Sequence, residues 1–281
     1  GVKIAFTGVG SGISVGENAG LRMVGTPQQP IILTGPVNNQ NKGSWDQVSI
    51  YSSRNDNQFE YVQFINGGSN EDWAVVVLFY NAKLKMNNCL IDGSLGSGAM
   101  TSDQSQKFTS FENNTIKNCE RYPIRMADLS HCSVLNETSQ LSLNNRPMVW
   151  VYGLSMNEDF TLNKTTVPYA FENSAYVEKN LSIGKGVQIL FSVDTWMNVI
   201  NSGRLQVNGT ASEPVLFSKL NASASNWEGL YISTDHENSL SNCIIEYAGS
   251  NSSFKCNVTV EYNAALSMNN VTLRNSKYYG I

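Results

Sequence analysis

The stretch 2–100 of this chain returns, with small gaps, as 187–281. Val2-Lys3-Ile4-Ala5-Phe6 comes back as Val187-Gln188-Ile189-Leu190-Phe191, and Gly25-Thr26 through Pro30-Ile31-Ile32-Leu33 as Gly209-Thr210 through Pro214-Val215-Leu216-Phe217. Trp45 matches Trp227, and Tyr80-Asn81-Ala82-Lys83-Leu84-Lys85-Met86-Asn87-Asn88 matches Tyr262-Asn263-Ala264-Ala265-Leu266-Ser267-Met268-Asn269-Asn270. Self-similarity over such a span restricts the chain to architectures in which like units stack on one another. It also supplies an internal comparison: a position that keeps its character in both copies is structural.

Within each copy a shorter period of about 25 residues is visible. Met86-Asn87-Asn88-Cys89-Leu90-Ile91 aligns with Phe111-Glu112-Asn113-Asn114-Thr115-Ile116, and Phe59-Glu60-Tyr61-Val62-Gln63-Phe64 lies one period earlier with a small slip. The runs alternate as half-buried strands do, with Leu84 and Met86 inward against Lys83 and Lys85 outward, and Leu205 and Val207 inward against Arg204 and Gln206 outward. No segment has a convincing helical period. Units this short cannot bury their apolar face alone, so they must stack.

Charged residues make up only 15% of the 281, well under the roughly 25% usual for soluble domains. Where equivalent residues of stacked strands lie one strand spacing apart, about 4.8 Å, like charges would repel, so neutral polar side chains are favoured. Asparagine also tolerates a left-handed backbone and can hydrogen-bond locally or to its equivalent on the next layer. Asn87-Asn88, Asn113-Asn114 and Asn269-Asn270 are therefore expected at sharp bends between strands, with Gly67-Gly68 at the following turn. A net charge of −4 without a basic stripe excludes a nucleic-acid partner. No apolar run is long enough to span a membrane, and with no signal peptide at the N-terminus the chain reads as mature or trimmed.

Five cysteines are present. Cys89, Cys243 and Cys256 correspond to Val271, Val62 and Ala74 in the other copy, which marks them as buried thiols. Cys119 and Cys132 lie in the unduplicated middle, and their pairing is left open. No CxxC or His-rich spacing supports zinc.

Val167-Pro168-Tyr169-Ala170-Phe171, Leu181-Ser182-Ile183-Gly184-Lys185-Gly186-Val187-Gln188-Ile189, Trp227-Glu228-Gly229-Leu230 and Ile245-Glu246-Tyr247-Ala248-Gly249 form a string that resembles right-handed parallel β-helix proteins of the pectin-lyase-like superfamily, especially the repeat-bearing secreted proteins of bacteria. The resemblance covers both copies and weakens between about residues 127 and 165. It implies an all-β fold, a right-handed parallel β-helix (β-solenoid) of roughly ten coils one strand spacing apart, internally duplicated and forming a single domain over 1–281. It also implies a secreted, periplasmic or cell-surface location. Both ends fall inside the repeat pattern with no capping helix. The expectation is that the chain is an excerpt of a longer polypeptide, or that loops or another copy cover its ends.

Enzymes of that family cleave acidic polysaccharides in a groove lined by carboxylates, arginines and lysines. Neither the Trp-Ile-Asp-His string of pectate lyases nor the paired aspartates and Gly-His-Gly of polygalacturonases is present. Glu120-Arg121-Tyr122-Pro123-Ile124-Arg125 resembles the Arg-x-Pro-x-x-Arg element, but its second arginine arrives one residue early, which on a strand points it to the opposite face. The repeat also aligns Arg121-Tyr122-Pro123-Ile124 with Tyr278-Tyr279-Gly280-Ile281, a turn followed by an inward isoleucine. If a catalytic site exists, Lys83, Lys85, Asp92, Arg121 and Arg125 are its candidates, with a cation abstracting the proton beside a uronate carboxylate. Lys83, Lys85 and Asp92 become Ala265, Ser267 and Arg274 in the second copy.

His131 and His236 have no partner pattern for acid–base or nucleophilic work and read as surface or turn residues. No cofactor is expected; Asn70-Glu71-Asp72 and Asn157-Glu158-Asp159 could offer oxygen to calcium but lack a full loop pattern. Trp45 and Trp227 recur beside inward strands and read as packing residues. The expected function is that of a non-catalytic secreted or cell-surface protein presenting an elongated face to a polysaccharide or cell-surface protein. The alternative is a polysaccharide lyase or glycoside hydrolase acting on an acidic polysaccharide.

Overall fold

The structure, a computed structural model, describes residues 1–154, 156, 158–250 and 255–281. It is all-β with parallel ladders; among the described residues the departure is a short 3-10 helix, Leu129–Val134. Two compact units divide the chain. The N-terminal unit comprises Gly1–Ala127, Val134–Val149 and Thr165–Val167, and the C-terminal unit comprises Asp128–Ser133, Trp150–Lys164 and Pro168–Ile281.

The N-terminal unit contains three sheets. The first runs β1 (Lys3–Ala5), β4 (Ile31–Thr34), β7 (Val62–Gly67), β10 (Leu90–Ser94) and β13 (Thr115–Cys119). The second runs β2 (Ile13–Val15), β5 (Val48–Ile50), β8 (Ala74–Leu78), β11 (Ser97–Thr101) and β14 (Ile124–Met126). The third runs β3 (Arg22–Val24), β6 (Gln58–Glu60), β9 (Lys83–Asn87) and β12 (Lys107–Glu112). The chain thus lays one strand in each sheet and then returns beside the first. The long return that parallel pairing requires is made of two further strands.

Inward residues stack in register. Leu33, Phe64, Ile91 and Ile116 form one buried ladder, and Phe59, Met86 and Phe111 another. Each such side chain contributes roughly 1.5–3 kcal/mol by leaving water. The alternation over Lys83–Met86 is as expected, with Leu84 and Met86 buried and Lys85 exposed. The period is less even than the sequence suggests: Leu90 pairs with Thr115, whereas Ile13 pairs with Val48 across a longer excursion.

In the C-terminal unit one sheet holds β18 (Ala175–Val177), β21 (Trp196–Val199), β24 (Gly229–Ile232) and β26 (Val258–Val260). A second path holds β15 (Val149–Val151), β17 (Tyr169–Phe171), β20 (Gln188–Phe191) and β23 (Val215–Lys219), and a third β16 (Phe160–Leu162), β19 (Asn180–Ile183) and β22 (Arg204–Asn208). The long strand β25 (Glu237–Glu246) pairs with β22 through its first half and with β23 through its second. β27 (Ala265–Arg274) follows it along its whole length.

Asparagine makes these bends. Asn88, between β9 and β10, and Asn113, between β12 and β13, have left-handed backbones, as do Asn242 and Asn270 in the middles of β25 and β27. The Nδ2 of Asn270 donates to Oδ1 of Asn242 at 3.3 Å, the layer-to-layer contact expected of stacked asparagines. The neighbouring asparagine has a different task. Buried Asn114 accepts from Cys89 N–H at 3.0 Å and donates to Met86 C=O at 2.9 Å, and Asn87 Oδ1 accepts from Glu112 N–H at 2.9 Å. Gly68 also has a positive φ, 69°, at the turn assigned to it.

The tryptophans anchor both copies in the same way. Trp45 is fully buried, stacks on Phe6 with centroids 4.6 Å apart and donates to Ile65 C=O at 2.8 Å. Trp227 is fully buried, stacks on Phe191 at 4.1 Å and donates to Glu246 C=O at 2.8 Å. Such pairs add about 0.5–1.5 kcal/mol beyond their burial.

All five cysteines are free thiols, which resolves the open pairing of Cys119 and Cys132. Cys89, Cys119, Cys132 and Cys243 are buried, whereas Cys256 is only half-buried, because its layer is less covered than that of its counterpart Ala74. Burial pushes the Cys89, Cys119 and Cys243 thiols up to about 12. Ile281 also departs from expectation. Its matching residue Ile124 is buried, but Ile281 is exposed, with no described strand beyond it.

Two outcomes follow. Asn114→Ala leaves a backbone donor and acceptor unpaired and lowers stability by about 2–4 kcal/mol, while Asn113→Gly, which keeps the left-handed backbone accessible, changes it by less than about 1 kcal/mol; denaturant unfolding measures both. Under native conditions at pH 8 a thiol reagent labels Cys256 first, and the other four cysteines react only on unfolding.

Candidate functional site

Outward positions of the second sheet in the N-terminal unit carry an aromatic group. Strand parity produces it: Val48 and Ile50 of β5 and Val76 and Leu78 of β8 are buried in register, so Tyr51 and Phe79, one residue past each strand, point outward. Their rings stack 4.8 Å apart at 8°. Tyr80, on a left-handed backbone with φ 52°, sets its ring 5.8 Å from Tyr51 and is 59% exposed. Trp73, just before β8, reaches Phe79 at 5.3 Å. The result is a contiguous, partly exposed surface of four rings.

Polar and charged residues border it. Lys83 N–H donates to Ser52 C=O at 3.0 Å, placing β9 beside Tyr51, and its Nζ donates to Asn55 Oδ1 at 3.2 Å. On the Trp73 side, Arg125 Nη1 donates to the carbonyl of Asp72, and Arg121 Nη2 lies 3.3 Å from Glu71 and 3.6 Å from Asp72. The acidic loop Asn70-Glu71-Asp72 is therefore engaged by arginine. Among the described residues no cluster of three or more His, Cys, Asp or Glu is placed to hold a metal, and Asn157 of the second acidic string lies outside the described residues.

The five catalytic candidates are not brought together. Lys83 and Lys85 are on the third sheet, Asp92 on the first and Arg125 on the second, with Arg121 at the turn before β14. Asp92 is occupied by Lys117 at 3.2 Å and by Asn118 Nδ2 at 2.7 Å. The turn alignment of Arg121-Tyr122-Pro123-Ile124 has a direct counterpart in hydrogen bonding: Tyr122 and Pro123 carbonyls accept from Gly98 and Ala99, as those of Tyr279 and Gly280 accept from Asn257 and Val258.

The histidines differ from one another. His236 is half-exposed, its Nδ1 3.1 Å from Ser202 C=O. His131, expected at a surface or turn, lies in the turn of the 3-10 helix but is buried. It shares that environment with Asp128, which accepts from Ser130 N–H at 2.8 Å and from Ser130 Oγ at 2.6 Å, and whose carboxyl is raised by burial. The short helix draws these residues inward, and no periodicity signals that in so brief an element.

The aromatic group was not legible as a unit in the sequence, although its signal is present in the repeat. Tyr51, Trp73 and Phe79 correspond to Ser233, Lys255 and Glu261, so the first copy alone has it. No family model matches the chain, and no curated protein or solved structure matches it.

A perturbed carboxylate lies in the C-terminal unit. Glu213 is held by Lys164 at 2.8 Å and Lys185 at 2.7 Å, and their hydrogen bonds pull it from 4.5 to about 2. A folded-state pKa below the unfolded value stabilises above the latter and loses that contribution as pH falls through the former. The thermal stability of the wild type is therefore expected to fall from pH 4.5 down towards 2, and Glu213→Gln is expected to flatten that decline.

Proposed function

We propose that this chain is a secreted or cell-surface binding protein built on a right-handed parallel β-helix of roughly ten coils, and that it takes glycan at the aromatic surface of its N-terminal unit. The return of the chain to the same sheet after every third strand supports the β-helix reading. The near-universal right-handedness of crossovers between parallel strands supports its hand. The observation that carries the function is the four-ring group Tyr51, Trp73, Phe79 and Tyr80 on an outward face. Exposed aromatic rings offer flat apolar area with little side-chain entropy to lose, and the C–H faces of sugar rings match them. Bordering Lys83 and Asn55 can meet sugar hydroxyls.

A binding role accounts better than catalysis for the dispersal of Lys83, Lys85, Asp92, Arg121 and Arg125. A lyase needs a base and charge-stabilising groups converging on one carbon; here the arginines face the acidic loop and Asp92 faces Lys117. An oligosaccharide panel tests the reading in two assays. Binding is expected for at least one glycan, with Tyr80→Ala and Trp73→Ala each raising Kd roughly threefold to tenfold. Neither unsaturated uronate products nor new reducing ends are expected. Turnover lost on changing Arg121 or Lys83 would reverse the conclusion.

A further inference from the structure

The C-terminal unit has a concavity of its own. Arg204 and Gln206 of β22, Glu237 and Ser239 of β25, and Ala265 and Ser267 of β27 line a groove of about 430 Å³, inside the roughly 300–1,000 Å³ range of small-ligand sites. Parity places them on one face: Leu205, Val207 and Leu240 alternate with them and are buried in the core.

Comparison of the copies explains why that face is hollow. The residues matching Gln206, Ser239, Ala265 and Ser267 are Arg22, Gln58, Lys83 and Lys85. In the N-terminal unit Arg22 donates to Gln58 Oε1 at 3.5 Å, and Lys83 extends to Asn55. The second copy carries a shorter side chain at all four positions, which removes the groups that cover the surface. Arg204 Nε is left buried without a hydrogen-bond partner, an arrangement that favours any ligand able to supply an acceptor.

We propose that this groove binds a neutral sugar residue of a glycan. The guanidinium of Arg204 donates to hydroxyl oxygens, the carboxylate of Glu237 accepts from hydroxyl hydrogens, and Ser239 and Ser267 do either. The opposite charges of Arg204 and Glu237 cancel, so neither a free anion nor a cation is favoured over an uncharged polyol. Ala265, together with the stem of Leu266, gives the sugar's C–H face an apolar floor. The site uses none of the residues of the aromatic surface and stands or falls separately from it.

Calorimetric titration of the full chain tests this, using cellohexaose, xylohexaose, mannohexaose and maltohexaose against oligogalacturonate. The decisive variant is Ala265→Lys with Ser267→Lys, which fills the groove with side chains that the first copy already carries on the same strand. Arg204→Ala is the second variant, Tyr80→Ala marks the aromatic surface, and circular dichroism checks folding. At least one neutral oligosaccharide is expected to bind with a transition whose Kd rises roughly tenfold or more in both groove variants and is unchanged in Tyr80→Ala. Binding of oligogalacturonate alone, absence of any transition, or a neutral-glycan transition indifferent to both groove variants overturns the proposal. A transition lost only in Tyr80→Ala overturns it while leaving the aromatic surface as the glycan site.

Discussion

Backbone hydrogen bonding at the corners is the constraint from which the rest of this structure follows. A parallel ladder satisfies its own amides and carbonyls, but wherever the chain leaves one sheet for the next those groups lose their partners, and burying them unpaired is costly. Asparagine solves the problem from the side. Asn57 accepts from Leu21 N–H and donates to the carbonyl of Lys83; Asn238 accepts from Leu205 N–H and donates to that of Ala265. Asn114, Asn144 and Asn257 repeat the arrangement at other corners. Each amide joins successive layers and lets an apolar interior continue past a turn.

The same constraint explains the low charge of the chain and the division of labour within asparagine pairs. In Asn87-Asn88 the first residue is the buried acceptor and the second takes the left-handed bend; in Asn113-Asn114 the order is reversed. A pair accommodates both tasks without a change in register. Side chains that serve the corners are not available for chemistry, and the outward positions between corners are where the two copies diverge.

Divergence between copies was a better guide to the candidate site than motif resemblance. Lys83, Lys85 and Asp92 stood out because the second copy lacks them, but Asp92 projects from a different sheet from the two lysines and is held by Lys117. The same comparison also distinguishes Tyr51, Trp73 and Phe79 from Ser233, Lys255 and Glu261. Those aromatics are separated along the chain, and only strand pairing and the backbone turn at Tyr80 bring their rings together. Buried His131 was not legible for a related reason: one short turn has no period from which to infer the side that faces inward.

By itself the sequence determined the all-β class, the inward positions of Leu84, Met86, Leu205 and Val207, the bends at Asn88, Asn113 and Asn270, and the structural use of Trp45 and Trp227. These are consequences of local alternation, backbone tolerance and repetition, all of which are written into neighbouring residues. The tertiary structure alone decided the uneven returns between paired strands, the free state of Cys119 and Cys132, the grouping of the four rings, and the hollow beside Arg204. Each of these depends on which strand lies next to which, and ladder pairing joins residues too distant in the chain for any local pattern to specify their contact.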